Sequence, residues 1–526
     1  MFLQWRAVKT TGMVYLVGAG PGDPGLLTLR GAELLGRADV VIHDGLVNLE
    51  LLRLAPKGAE IVFGGKRERS RCVSQAELNQ LLIGKAREGR QVVRLKGGDP
   101  YVFARGGEEA EALYEAGIPF EVVPGVSSTE AVPNYAGIPL THRRFCSSYT
   151  VITGHTDPAS AECRIDWRAV SRAEGTLVVL MGLKHLRAIS DKLMEHGKPA
   201  DTPAAVIRWG TWGTQQVIEG TLATLADQAE QCLLEPPVVI VMGEVVRLRA
   251  RLNWLEKRRL WGQRIVVTRS RDQAPALSKP LREMGADVLE IPVIRTRPPR
   301  SLTPLREALA GLGAYDWLVF TSVNGVTRFF EEFFKKYRDL RDLGALQIAA
   351  VGPGTAARIR DYRLEVDVVP EEHTGIKIVE ALEKFESLEN LRFLLARAEK
   401  ANPELARLLE EKGGIVDDIA CYRTEPEPDC ASADVRRFRQ EGADWILFTS
   451  GSTVEQFHAR FDLPGLMRQF PGLKLATIGP ETTRLLNAVG LTPALEADPH
   501  TVDGLLAALR DFSNGDKSPK INESAG

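Results

Sequence analysis

Hydrophobic positions in this chain come in short unbroken runs rather than in alternation. Val14, Tyr15, Leu16 and Val17 form one; Val40, Val41 and Ile42, then Ile61, Val62 and Phe63, then Val92, Val93 and Leu95, then Val122 and Val123 form others, most of them stopped by glycine, histidine or aspartate. Runs of this kind are strands buried on both faces, as parallel sheets require. Between them lie stretches with apolar residues at helical spacing, including 26–35 and 108–116, the latter ended by Gly117. Strand alternating with helix predicts an α/β class whose ligands gather outside the carboxyl ends of the strands. The alternation continues over 166–246, with strands predicted at 176–180, 203–207 and 237–242 as a second lobe. Residues 247–263, rich in Arg, Leu and Trp, read as an amphipathic helix and a linker.

The second half repeats itself. Arg264-Ile265-Val266-Val267-Thr268-Arg269 returns as Arg392-Phe393-Leu394-Leu395-Ala396-Arg397, and the run from Asp316 to Ser322 returns from Asp444 to Ser450, both at an offset of 128 residues. Two copies of that length predict paired flavodoxin-like lobes, since a solenoid needs more and shorter repeats. The symmetry breaks where Ile294 faces Tyr422. Tyr422 is therefore a side chain whose chemistry the duplication does not account for, with a buried core tyrosine as the competing reading.

Composition narrows the picture. At 526 residues the chain is too long for one core, and 44% hydrophobic with 26% charged residues is the composition of a soluble globular protein. A net charge of −2 excludes a broad basic surface for nucleic acid, and no apolar run reaches membrane-spanning length. The first residues lack a signal peptide's apolar core and cleavage site, so a cytoplasmic location is expected. Six scattered cysteines contain no Cys-x-x-Cys, which argues against a disulfide framework and a metal site.

Candidate chemistry sits at the strand ends. Arg94-Leu95-Lys96-Gly97-Gly98-Asp99-Pro100 reads as a strand running into bare backbone, with Asp99 as N-cap and Pro100 as first helical residue. A second breaker pair, Gly106-Gly107, isolates Arg105. Gly18-Ala19-Gly20-Pro21-Gly22-Asp23 invites comparison with the dinucleotide fingerprint and fails it, because Asp23 stands where the third glycine belongs and its carboxylate repels a pyrophosphate. A carboxylate beside bare glycines suits a cation such as an ammonium or a sulfonium; an N-cap with no ligand is the alternative. Ser127 and Glu130 are spaced as a capping box. Lys66, Arg67, Arg69 and Arg71 follow a strand end and a Gly-Gly, a pattern suited to an anionic substrate.

These motifs, together with Arg105-Gly106-Gly107-Glu108-Glu109, Val123-Pro124-Gly125-Val126-Ser127-Ser128 and Gly137-Ile138-Pro139-Leu140-Thr141-His142-Arg143, closely resemble uroporphyrinogen-III C-methyltransferase over residues 13–250. The resemblance implies a two-lobed tetrapyrrole methylase fold, usually a homodimer, with S-adenosyl-L-methionine folded between the lobes. Carried over by motif, Pro21, Gly97, Gly98, Asp99, Val102, Ser127, Ser128, Met181 and Gly210 would hold this cofactor. Asp44 would be the proton acceptor and Lys66 the proton donor, with Arg105 as a rival base or a substrate clamp. The clamp is chemically the more conservative role, because guanidinium rarely deprotonates. Uroporphyrinogen, a polycarboxylate, gives Arg67 and Arg143 partners. Two departures, His43 where the family often has Tyr and Arg71 where it often has His, bear on substrate placement.

Residues 262–512 resemble uroporphyrinogen-III synthase through Phe320-Thr321-Ser322-Val323-Asn324-Gly325-Val326, the Gly-Pro turns and Cys421-Tyr422-Arg423-Thr424. This implies cyclisation of hydroxymethylbilane without a cofactor, in lobes that exchange strands near their junction. Tyr422 would assist the leaving hydroxyl, and Thr321, Ser322, Thr449, Ser450 and Thr482 would hold carboxylates. The expected organisation is an extension over 1–12, a methyltransferase over 13–250, a linker over 251–261, a synthase over 262–512 and a disordered tail over 513–526. Expected partners are small tetrapyrroles, with no nucleic acid, membrane or metal. Rival readings are a nucleotide-dependent oxidoreductase, opposed by Asp23, and a methyltransferase fused to a non-catalytic tetrapyrrole-binding module.

Overall fold

A computed structural model describes residues 11–65, 74–371, 375–428 and 432–515. The chain divides into two units, Met1–Gly262 and Gln263–Gly526. In the first, β1 Val14–Gly18, β2 Val40–His43, β3 Glu60–Phe63, β4 Val92–Lys96 and β5 Phe120–Val123 stand in the order β3-β2-β4-β1-β5, each neighbouring pair parallel. Leu16, Val17, Val40, Val41, Ile42, Val92, Val93 and Leu95 are fully buried. Burial on both faces is why these strands show no alternation in sequence.

The second lobe of this unit departs from the parallel pattern. β6 Tyr149–Thr153, β7 Thr176–Leu180, β8 Pro203–Arg208, β9 Gln216–Thr221 and β10 Val238–Met242 are ordered β6-β7-β10-β8-β9. Only β6 and β7 are parallel; the other pairs are antiparallel. The connection from β8 to β9 is too short for a crossover helix and closes a hairpin instead.

The amphipathic helix expected over 247–263 shrinks to a 3-10 turn, Glu244–Leu248, and a short helix, Arg249–Leu252. The segment after this helix is packed onto the first unit rather than free as a linker. Arg249 reaches Glu219 at 2.9 Å and Glu256 at 2.8 Å, Leu255 and Leu260 are buried, and Trp254 donates from Nε1 to the Asn134 carbonyl at 3.2 Å with its ring 5.0 Å from that of Tyr135.

In the second unit, β11 Arg264–Val267, β12 Asp287–Glu290, β13 Ile294–Arg297, β14 Trp317–Phe320, β15 Gln347–Ala350, β16 Arg392–Ala398, β17 Ile415–Pro426, β18 Trp445–Phe448, β19 Lys474–Thr477 and β20 Leu495–Glu496 build two sheets. One is ordered β12-β11-β18-β19-β20 and the other β13-β17-β16-β14-β15. Every pair is parallel except β13 with β17. Each sheet therefore mixes the two sequence copies: β11 and β12 of the first copy complete β18 and β19 of the second, while β16 and β17 join β14 and β15. These are two flavodoxin-like lobes with exchanged opening strands. The last helix runs Val502–Gly515, so the tail boundary expected at 513 falls within it and residues 516–526 lie outside the described ones. Among the described residues no helix is long and apolar enough to cross a membrane.

Candidate active site in the first unit and tyrosine cluster in the second

Three loops meet at the carboxyl ends of β1, β4 and β5, backbone against backbone. A Cβ on Gly18 would lie 2.4 Å from the Gly125 Cα, and one on Gly125 would lie 2.3 Å from the Gly98 carbonyl oxygen. The Gly20 and Gly98 backbones bond to each other in both directions, at 3.2 and 2.8 Å. The Gly97 amide donates to Asp44 Oδ2 at 3.2 Å. The glycines thus permit loop crossing, and the amides of Gly97 and Gly98, expected to face a ligand, are taken by the protein itself.

Asp99 is not an N-cap. Its Oδ1 accepts from the Tyr101 amide at 2.8 Å and its Oδ2 from the Gly125 amide at 3.0 Å, which ties the β4 loop to the β5 loop. The helix begins only at Gly106. Ser127 does cap the helix Ser128–Tyr135, through the Thr129 amide at 3.2 Å. Glu130 makes no capping box; it accepts from the Thr129 hydroxyl at 2.7 Å and the Tyr149 hydroxyl at 3.3 Å. Asp23 is occupied as a cap of Gly25, at 2.8 Å, and as acceptor from Tyr135 at 2.7 Å.

Above these loops lies a cavity of about 400 Å³, within the range of small-ligand sites. Pro21, Gly97, Gly98, Asp99, Val102, Ser127, Ser128, Met181 and Gly210 all line it, as do Asp44 and Arg105. Arg143 is exposed and does not line it. Lys66 and Arg67 lie outside the described residues. Four of the wall residues, Phe103, Arg105, Met181 and Trp209, hold φ of +53°, +61°, +55° and +48°, a conformation that side chains of this size rarely adopt and that clusters at ligand sites. Gly210 brings the second lobe in: a Cβ there would lie 2.4 Å from Val132 Cγ1. Trp209 and Trp212, edge to face at 5.8 Å, complete the wall.

The floor carries charge that the strand pattern does not announce. Arg94 and Lys96, two apart on β4 and so on one face, are 4% and 2% exposed, and both reach Glu109 Oε1, at 3.3 and 2.8 Å. Arg94 also lies 4.0 Å from Asp44. Burial, then the neighbouring Arg94 cation, draw the Lys96 ammonium below its ordinary value, and Glu109 opposes them. Two cations face two carboxylates, so the floor carries no net formal charge. Arg105, exposed, pairs with Glu108 at 2.6 Å, which holds its guanidinium above the ordinary value. The spacing of two cations inside an otherwise apolar strand was the signal available for this floor.

In the second unit, Tyr422 on β17 is 7% exposed, and its hydroxyl meets Ser322 Oγ at 3.0 Å with Asn324 nearby. Burial pushes the phenol up. Ser322 caps the helix Val323–Lys336 through the Gly325 amide at 3.1 Å. Ser450 meets Ser452 at 3.0 Å. Thr321 and Thr449 are half-buried at strand ends, and Thr482 is buried.

A family model for tetrapyrrole (corrin/porphyrin) methylases matches residues 13–226, and one for uroporphyrinogen-III synthase HemD matches residues 275–507. A porphyrin biosynthesis protein HemD from Ruminiclostridium josui is 36% identical over 509 residues, 96% of this chain and 99% of that protein. This chain belongs to the family of tetrapyrrole methylases fused to uroporphyrinogen-III synthase. Its methylase unit is 52% identical over 237 residues to an S-adenosyl-L-methionine-dependent uroporphyrinogen III methyltransferase from Methanosarcina barkeri, covering 45% of this chain and 93% of that one. It is also similar, at 39% identity and a TM-score of 0.39, to a uroporphyrin-III C-methyltransferase from Thermus thermophilus crystallised with S-adenosylhomocysteine, over 45% of this chain and 100% of that one.

Proposed function

We propose that the second unit cyclises hydroxymethylbilane to uroporphyrinogen III and that the first transfers two methyl groups from S-adenosylmethionine to it, giving precorrin-2. The observation that carries this reading is a single cavity walled by all nine positions at which the methyltransferase motifs put the cofactor. Its glycine-crossed loops and left-handed wall residues leave room for a bulky ligand. When bound, the donor supplies an electrophilic methyl group on a sulfonium sulfur. Gly98, Val102, Met181 and Gly210 would hold it, and the walls would align it for in-line transfer to a pyrrole carbon, where positioning is the main source of rate.

Asp44 would take the proton that the methylated ring must lose. Its Oδ1 accepts from the Leu46 amide at 3.0 Å and its Oδ2 from Gly97, with Arg94 beyond. Those donors fix the carboxylate at the cavity wall, within reach of a bound substrate. Arg105, held by Glu108 at the wall, is suited to a substrate carboxylate. In the second unit, Tyr422 is the acid for the hydroxyl that leaves hydroxymethylbilane. A homodimer formed through the first unit and a cytoplasmic site belong to the same reading.

The test is an anaerobic incubation of the pure protein with hydroxymethylbilane, with and without S-adenosylmethionine, followed by mass and isomer analysis. Uroporphyrinogen III alone, replaced by a dimethylated product when the donor is added, is the expected outcome. If only the spontaneous type-I isomer formed while supplied uroporphyrinogen III was still methylated, the second unit would be a binding module.

A further inference from the structure

The second unit holds a half-buried cation, Arg269, with no ion-pair partner among the described residues. Arg269 follows the carboxyl end of β11. Among the described residues its one side-chain hydrogen bond is a long one, from Nη2 to Gln273 Oε1 at 3.4 Å, and its Nε is buried without an acceptor. Burial alone draws this guanidinium below its ordinary value. A guanidinium partly taken from water, with its Nε buried and unpaired, gives up hydration that the fold does not return, so its retention calls for a reason.

The duplication supplies a comparison inside the same molecule. Val267 pairs with Glu290 in register as Leu395 pairs with Asp418, which makes Arg269 the counterpart of Arg397 and Glu290 the counterpart of Asp418. In the second copy Arg397 and Asp418 form a two-pronged ion pair. In the first copy Glu290 turns to Arg282, at 3.5 Å, and Arg269 is left with an amide. One of two equivalent arginines is satisfied within the fold, and the other is open to an outside anion.

Arg269 is also wired to the tyrosine. Gln273 Nε2 donates to Asn324 Oδ1 at 2.9 Å, Asn324 lies beside the Tyr422 hydroxyl, and Tyr422 meets Ser322. This chain of side chains runs from the lobe holding β11 to the lobe holding β14 and β17, at the carboxyl ends of β11 and β14, where such sheets bind ligands.

We propose that Arg269 anchors one carboxylate side arm of the tetrapyrrole polycarboxylate bound by the second unit, and that Gln273 and Asn324 relate its position to the Tyr422 hydroxyl. The substrate class rests on the synthase reading; the anion site does not.

The experiment uses the full chain with Arg269→Gln and Arg269→Lys. In steady-state cyclisation of hydroxymethylbilane, Arg269→Gln should raise KM about tenfold to a hundredfold with a smaller fall in kcat, as expected for a lost charged anchor. Arg269→Lys should recover part of this, since it keeps the charge and loses the fork. Methylation of supplied uroporphyrinogen III should be unchanged. A KM within twofold of wild type for a folded Arg269→Gln protein would overturn the proposal; should that variant unfold on thermal melting, Arg269→Lys carries the same comparison. A calorimetric titration with uroporphyrin separates this proposal from the reading beneath it. A wild-type chain that fails to cyclise but loses one class of uroporphyrin site in Arg269→Gln sinks the synthase reading and upholds the anchor. Loss of neither activity nor a site sinks the anchor.

Discussion

Lys96 and Glu109 meet at 2.8 Å with 2% and 1% of their surfaces exposed, directly beneath the cavity of the first unit. The same Glu109 oxygen serves Arg94, so one buried carboxylate separates two buried cations that would otherwise repel. The arrangement is balanced rather than strong, because desolvation offsets most of what such pairs gain.

Removing the anion should expose that balance. Glu109→Gln leaves Arg94 and Lys96 facing each other with no buried countercharge, and such losses cost about 3–5 kcal/mol. Denaturant unfolding of the first unit's transition should show a loss of this size. A loss below about 1 kcal/mol would mean that water already reaches the pair.

Gly98 isolates the wall from the scaffold. Its φ is +69°, and a Cβ would have no neighbour nearer than the Ser128 nitrogen at 3.9 Å, so Gly98→Ala adds a methyl group to the cavity without a clash. The left-handed backbone should cost about 1–2 kcal/mol, which the fold can bear. The KM for S-adenosylmethionine should rise about tenfold or more while hydroxymethylbilane cyclisation is unaffected, measured on the same preparation. An unchanged KM would place the donor elsewhere.

What the chain disclosed in advance came from spacing. Unbroken apolar runs marked β1, β2 and β4 because burial on both faces leaves no polar alternation to see, and glycines at their ends marked the crossing loops. The role of those glycines was not readable: Gly97 and Gly98 looked like bare amides for a ligand, and only three-dimensional packing shows those amides spent on Asp44 and Gly20. The antiparallel pairing of β8 with β9 was hidden because strand runs do not declare direction. The offset of 128 residues showed the duplication, yet not that β11 would leave its own copy to pair with β18, since exchanged strands bury the same side chains either way. Trp209 and Trp212 stayed hidden because nothing local ties them to the cavity they line.

Tyr315 gives the second unit a measurable pH signature. Burial first, then its hydrogen bond to Asp417 at 2.6 Å, push its phenol up to about 12 from an ordinary value of 10.0. A folded value above the unfolded one means that its contribution is complete below about pH 10 and is lost as pH rises through 12. Tyr315→Phe should therefore be less stable than wild type by about 1–2 kcal/mol at pH 8, and the gap should close between pH 10 and 12 in denaturant melts. A gap independent of pH would assign the loss to packing instead.

Tyr422 invites the sharpest substitution in the second unit. Because burial raises its phenol, it keeps its proton throughout the neutral range and is always in the form able to donate. Ser322 holds the hydroxyl in place before substrate arrives, so Tyr422→Phe removes the proton while the ring still fills the core cluster that holds Phe320 and Phe329. Loss of a positioned acid typically costs about 10²–10⁴-fold in rate. The expected result is a fall in kcat for cyclisation of about a hundredfold, with KM within threefold and methylation of supplied uroporphyrinogen III untouched. A fall of less than about fivefold would mean that the departing hydroxyl takes its proton from another donor, and Tyr422 would then be a core residue that the broken repeat symmetry had merely made conspicuous.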